Sequence, residues 1–458
     1  MWFRKTEDGQ SRSIPRLTAA RPGPAWASPV TWTGYWLAAV YAGSAVYSLT
    51  FGLLSSDPFH ELWGEMATGG YLVAAILAAT LRGRESRLLA DLPLAASFLG
   101  ALFIPLLVMI GLNKGEPEVN VVVRSAYLLI HTGTPYQGAA ALANTTDPNA
   151  YNPYLPVMAL FGLPRAIFPG GGLLADPRIW FGACFLLVFT WGLRAGGAAD
   201  IWRWTIFVVG SPIVALELAV GGTDVPMVAF LCLGFGLMAK GLTGASHPGT
   251  GPPEQPGTRP LGRSLTAAGI ALGIAAGMKA TAWPGLAVAI VLLIAIAGWR
   301  VAARFTAVAV AVTAVCVGPF LFHAQALVVN TIEFPLGLAN IKSDAASPLP
   351  GHLLSEAGQA GHTVAVALLV MAGLAVTLVL LLRPPKSVPR AVFLLVWAMS
   401  AMFLLAPSTR FGYFIYPGTL ALWLVAVVAG RNAGIGPFAG RRRTSPGNST
   451  TTVVSRLQ

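Results

Sequence analysis

The sequence predicts an all-α, polytopic integral membrane protein of about twelve transmembrane helices, with further helices in loops on its outer face. Two observations carry most of this. Only 10% of the 458 residues are charged, against roughly a quarter in soluble domains, and the mean hydropathy is +0.67. Apolar runs also recur along nearly the whole chain at about 20 residues, the length a helix needs to cross a bilayer. The short alternating segments of a closed barrel do not occur, so helices are the expected spanning elements.

The elements follow in order from the basic residues. A basic segment, 1–29, precedes the first apolar run and reads as a cytoplasmic tail rather than a cleaved leader. The first span, about 31–54, emerges at "SSDPFHELWGEM", which lacks Lys and Arg. The second, about 66–81, returns to the arginine-rich "RGRESR", which the positive-inside rule places in the cytoplasm. A third, about 91–112, leads to a long outer segment, 113–177. Its stretch "NPYLPVMALFGLPRAIFPGGG" is broken by four prolines and carries Arg165, so it is expected to lie at the surface rather than cross. Spans then follow at about 178–193, 203–219, 225–241, 265–278, 283–298, 305–322, 363–382, 391–406 and 413–430, with a second outer loop at 323–362. Residues 30–432 thus form one membrane domain. The polar tail 433–458 is expected to be cytoplasmic and disordered.

The net charge of +12 fits the same topology, because the basic residues fall in short loops and at the termini; no nucleic-acid partner is expected. Cys184, Cys232 and Cys316 lie singly in apolar runs and read as small core residues. Trp36, Trp180, Trp202, Trp204 and Trp299, with Trp32, read as interface-belt residues.

The alternation of spans gathers the remaining charged turns on the outer face. "AVGGTDVP" places Asp224 there, "MKATAWP" places Lys279, and "APSTRFGYFIYP" places Arg410 and Tyr413. The outer loops add Glu116, Glu118, Tyr136, Tyr151, His323 and His352. Each has an ordinary reading: Lys279 could snorkel to the headgroups, and Asp224 could cap the helix that begins at Val225 and Pro226. Arg410 is harder to explain alone, since a helix start disfavours a cation. Carboxylates, cations and aromatics on one face of a nearly uncharged bundle point to a functional site. Their chemistry suits a lipid-linked phosphate held by cations, a carboxylate base for an acceptor hydroxyl, and aromatic faces for sugar rings.

"EPEVNVVVRSAYLLIHTGTPYQ…DPNAYNPYLPVMALFGLP" resembles the first large periplasmic loop of glycosyltransferase family 87. The matching positions are Glu118, Val121–Val122, Leu128–Leu129, Gly133 to Tyr136, and Tyr151 to Pro156. "GGTDVPMVAFLCL" and "AGIALGIAAGMKATAWP" are similar to that family's Asp and Lys segments. The resemblance runs over roughly 113–430 as short ordered motifs, with Val122 where the family usually has tyrosine.

It implies a type C glycosyltransferase fold in a bacterial plasma membrane; the alternation of spans places both termini in the cytoplasm. It also implies a polyprenyl-phosphate sugar donor, mannosyl or arabinosyl in type, a glycan or glycolipid acceptor, and no cofactor or obligatory metal. Carried onto this chain, Glu118 is the expected base with Glu116 as its rival. By the chemistry of the residues themselves, Lys279 and Arg410 would hold the donor phosphate, and Asp224 would orient a sugar hydroxyl or one of the cations. Tyr413, Tyr136, Tyr151, His323 and His352 complete the expected substrate-binding set. A transporter or lipid-handling protein without catalysis is the alternative.

Overall fold

The computed structural model describes residues 29–84, 86–244, 262–339, 341 and 343–431. The two predicted tails, apart from their residues nearest the helices, and most of the Lys240–Arg263 loop lie outside them. Every regular element among the described residues is helical; the one β feature is an isolated bridge between Ala346 and Thr409.

Three helices open the chain: α1 (Pro29–Leu54), α2 (Pro58–Thr80) and α3 (Leu88–Gly111), the last carrying a π-helical turn at Leu99–Phe103. A loop helix, α4 (Pro117–Thr132), follows, ended by Gly133 in the left-handed conformation, φ +75°. The proline-broken segment forms only a 3-10 run and a short helix within Pro156–Ile167, too short to span. Next come α5 (Pro177–Gly196), α6 (Ile201–Val209), α7 (Pro212–Val220), α8 (Asp224–Gly244), α9 (Arg263–Met278), α10 (Trp283–Ala297) and α11 (Trp299–Val317). The chain closes with α12 (Gln359–Leu382), α13 (Val388–Leu405) and α14 (Ile415–Arg431).

Ten helices are long and apolar enough to cross a membrane, eleven if α6 and α7 count as one broken span. This multi-pass architecture agrees with the predicted class but not with the count of twelve. Two expected spans differ. The 203–219 run is two helices bent by 61°, because Gly210, Ser211 and Pro212 interrupt the backbone ladder between them. The 265–278 run is a helix of 16 residues, short for a span.

The centre of the bundle is α8, 78% buried over its apolar window, against 11% for α12. It packs on α5 and α9, while α9 also packs on α11, and α1 on α2. Small residues bring these axes together. Gly192 of α5 meets Gly236 of α8, where an added Cβ would strike the facing backbone. Trp204 corrects its belt assignment: it is 3% exposed, with its ring edge-on to Phe207. Trp36, Trp180, Trp202 and Trp299 are exposed on the bundle's outside; the Trp32 side chain lies outside the described residues. The cysteines are free, with Cys232 fully buried in α8.

Successive helices alternate direction, so the two ends differ in kind. One gathers residues 55–60, 113–177, 221–224, 279–282, 318–358 and 406–414. The other gathers Arg82, Arg194, Arg203, Lys240, Arg300 and Arg431, hereafter the basic end.

Candidate functional site

The site is built where three helix starts meet the loop that follows α3. Gly221, at φ +107°, turns the chain out of α7 in a conformation open to glycine but strained for other residues. The turn delivers Asp224 to the first position of α8. Lys279 sits at the break between α9 and α10, in extended backbone between Met278 and a 3-10 turn, Ala280–Ala282. Its ammonium lies 2.6 Å from Asp224 Oδ1. Tyr416 of α14 donates its hydroxyl to the same oxygen at 2.6 Å and lies 2.7 Å from Thr281 Oγ1. Two rings flank the ammonium, Tyr413 at 5.2 Å and Tyr154 at 5.4 Å to the centroids, within reach of a cation–π contact. The lysine that interrupts the apolar 271–290 stretch is therefore at a helix break, 13% exposed and paired.

The second half of the site centres on Arg410, at the N-terminus of a 3-10 turn ahead of α14. Its guanidinium Nη1 bonds Glu118 and lies 3.3 Å from Glu116 Oε2. This resolves the oddity of a cation at a helix start, because two carboxylates balance it. A short strand-like contact pins the backbone beside it: Thr409 N donates to Ala345 O at 2.9 Å and Ser347 N donates to Thr409 O at 2.9 Å. His352 braces the same stretch, with Nδ1 2.9 Å from Pro407 O and Nε2 3.3 Å from Glu356.

Glu118 has one oxygen on Arg410, while its Oε2 is buried with no hydrogen-bond partner among the described residues. Burial, then the neighbouring charge of Glu116, push its carboxyl up to about 7 against the pull of Arg410. A carboxylate so tuned can take up or release a proton near neutral pH.

Several contributors were not singled out in the sequence. His60, on α2, lies with Nε2 3.8 Å from Glu116 Oε1 and Nδ1 2.8 Å from Ser55 Oγ, between the Phe51 and Phe59 rings. Glu217 is a buried acid of α7, facing Gly222 and Gly412, where a Cβ would collide with its carboxylate. A lone acid in the apolar run "SPIVALELAV" was the available signal. Arg178 forms a bidentate pair with Asp176, both bonds 2.9 Å, and donates to Lys114 O at 2.7 Å. That clamp fixes the start of the loop bearing Glu116, whose own N–H donates to Val220 O at 2.8 Å. The Asp-Pro-Arg start of α5, with Asp176 accepting from Arg178 N as N-cap, marks it in the sequence.

The structure thus brings Glu116, Glu118, Asp224, Lys279, Arg410 and Tyr413 together at one end of the bundle. Tyr136 is one step removed: its buried hydroxyl donates to Tyr154 O at 3.0 Å and so helps place Tyr154 beside Lys279. Tyr151 stacks on Phe334, with 4.5 Å between centroids, in a separate apolar cluster. His323 is exposed, and its side chain makes no hydrogen bond or ion pair among the described residues. No group of three or more His, Cys, Asp or Glu among those residues is placed to hold a metal.

Comparison with protein-family models, curated proteins and solved structures gives no match to this chain.

Proposed function

We propose that this chain is a membrane glycosyltransferase that moves a mannose- or arabinose-like sugar from a polyprenyl-phosphate donor to a hydroxyl of an envelope glycan or glycolipid. The observation that carries the reading is Glu118 Oε2: a buried carboxylate oxygen without a hydrogen-bond partner among the described residues, beside Arg410, at the end of the bundle that also holds the Asp224–Lys279 pair. The motif resemblance to glycosyltransferase family 87 over 113–430 supports it. So does the gathering of basic side chains at the opposite end, which would put the site on the outer face of a bacterial plasma membrane and both termini in the cytoplasm.

In this reading Glu118 removes the proton of the acceptor hydroxyl, and the acceptor oxygen attacks the anomeric carbon. The bond from that carbon to the phosphate oxygen breaks, and polyprenyl phosphate leaves with its added negative charge. Arg410 and Lys279 stabilise that charge; Asp224 and Tyr416 hold Lys279 in position. The half-buried Tyr413 offers an aromatic face to the sugar, while the buried Tyr154 backs Lys279. Glu116 is tied to both His60 and Arg410, leaving Glu118 the freer oxygen.

A radiolabelled polyprenyl-phosphate-sugar assay with membranes carrying Glu118→Gln, Lys279→Ala or Arg410→Ala tests this. Each variant should lose about a hundredfold or more of the transfer rate. Full transfer by all three would sink the assignment.

One observation favours a second reading, a transporter. The α6–α7 span is broken, and its second half carries the buried acid Glu217, a combination found where transporters bind their cargo. Counterflow of a lipid-linked sugar in proteoliposomes, lost in Glu217→Gln and without product formation, would select it.

A further inference from the structure

At the basic end three helices finish around one cavity of about 390 Å³. Arg194 comes from the last turn of α5, Lys240 from α8 and Arg431 from the last residue of α14, with Trp191 and Thr243 beside them. Glycines set the geometry. Gly192 and Gly236 let α5 and α8 touch, and a Cβ on Gly196 would come within 2.6 Å of Val427 on α14. Lys240 follows Gly236 by one helical turn, and Arg194 lies between Gly192 and Gly196, so close backbone packing draws the three cations to one opening.

Topology alone accounts for cations at this end, but not for this arrangement. Arg203 pairs with Asp91 at 2.7 Å, Arg82 stacks on Tyr35 at 4.1 Å, and Arg300 lies 5.6 Å from the Trp299 ring. Arg194, Lys240 and Arg431 make no ion pair among the described residues and share a cavity instead. Helix C-termini would repel an anion. At α5, however, Gly197 N donates to Arg194 O at 3.3 Å and Ala198 N to Leu193 O at 3.0 Å, which satisfies two of the terminal carbonyls.

We infer that this cavity binds a phosphate-bearing anion, with Arg194 and Arg431 offering paired N–H donors, Lys240 a point charge and Thr243 a hydroxyl. The site is separate from the one at the other end and does not rest on its chemistry. Two sources present the same group at this depth: the phosphodiester of an anionic phospholipid in the adjacent leaflet, and free inorganic phosphate.

The test uses the full chain in detergent, titrated with dioctanoyl phosphatidylglycerol, with the zwitterionic dioctanoyl phosphatidylcholine, and with inorganic phosphate. The readout is the change in tryptophan fluorescence that Trp191→Phe removes. Saturable binding of phosphatidylglycerol, without phosphatidylcholine binding, is expected for a lipid source; saturation by inorganic phosphate alone assigns the free ion. In either case Arg194→Gln, Lys240→Gln and Arg431→Gln should each weaken binding about fivefold. Arg431→Lys should bind more tightly than Arg431→Gln, and Arg300→Gln, at the same end but outside the cavity, should match the wild type. Equal affinity for both lipids, no saturable response, wild-type affinity in the glutamine variants, or a response that survives Trp191→Phe would overturn the assignment. Unchanged melting temperatures of the variants separate lost binding from lost fold.

Discussion

Two clusters of cations at the two ends of this bundle treat charge in opposite ways. Where α5, α8, the turn before α10 and α14 begin, three cations withdrawn from water are matched: Lys279 to Asp224, Arg410 to Glu116 and Glu118, Arg178 to Asp176. Where α5, α8 and α14 finish, Arg194, Lys240 and Arg431 are exposed and surround a cavity. Desolvation explains the difference. A charge held away from water needs a partner in place or it destabilises the fold, whereas a cation in water or among headgroups does not. Cations should therefore matter to stability at the first end and to ligand binding at the second.

Arg178 is where that contrast can be broken most sharply. Its side chain is 4% exposed, holds Asp176 through two bonds and anchors Lys114 O. Arg178→Ala leaves the buried Asp176 carboxylate with only the backbone N–H of residue 178 and Arg165 at 3.7 Å, and should destabilise the protein by about 3 kcal/mol, read as a large fall in melting temperature in detergent. Arg410→Ala, at 27% exposure, should cost less stability but more transfer activity. Equal, small losses for both would erase the distinction between an anchoring pair and a working one.

Glu118 sharpens the comparison within the site. Because its carboxyl is raised to about 7, it is protonated below that value and ionised above it. A base must be ionised, so the transfer rate should rise about tenfold per pH unit below about pH 7 and level off above. The sign for stability is opposite. The folded state holds a proton more tightly than the unfolded chain, so this residue's contribution to stability falls as pH rises from the usual carboxylate range through about 7. Glu118→Gln should abolish both dependences while folding as well as the wild type. A rate that still fell below pH 7 in Glu118→Gln would move the titration to another group, such as Glu116 or His60.

How far the sequence reached depends on what kind of signal each residue leaves. Hydropathy and the positive-inside bias read one-dimensional patterns, and they located the helices and the turns bearing Asp224, Lys279 and Arg410. A partner across the bundle leaves no such trace. His60 reaches Glu116 from a helix more than fifty residues earlier, and its turn has no other mark than a histidine among aromatics. Tyr416 was hidden for the same reason, since a tyrosine near a helix start reads as an interface residue until its hydroxyl is seen on Asp224. Glu217 and Arg178 did leave marks, a lone acid in an apolar run and an Asp-Pro-Arg cap, which the topological reading passed over. The break in α6–α7 was written in Gly210–Ser211–Pro212, but hydropathy averaging reads across it. Tyr136 and Tyr151 show the converse limit: aromatic residues in a candidate loop can serve its folding, one by holding Tyr154 and the other by stacking on Phe334.

The smallest expected effect is the most informative about the second end. Arg431 closes α14, where a cation gains only a modest interaction with the helix dipole, screened by solvent. It has no acidic partner among the described residues, and its side chain opens onto the cavity shared with Arg194 and Lys240. Arg431→Gln should therefore shift stability by no more than about 0.5 kcal/mol, and a thermal melt in detergent would register little change. The same substitution at Arg178 would remove a buried partner, so the pair of melts compares one chemical change in two dielectric settings. A large loss at Arg431 would mean that this arginine too is held by matched charge, as Arg203 is by Asp91. A near-silent melt would leave anion binding as the role of that arginine.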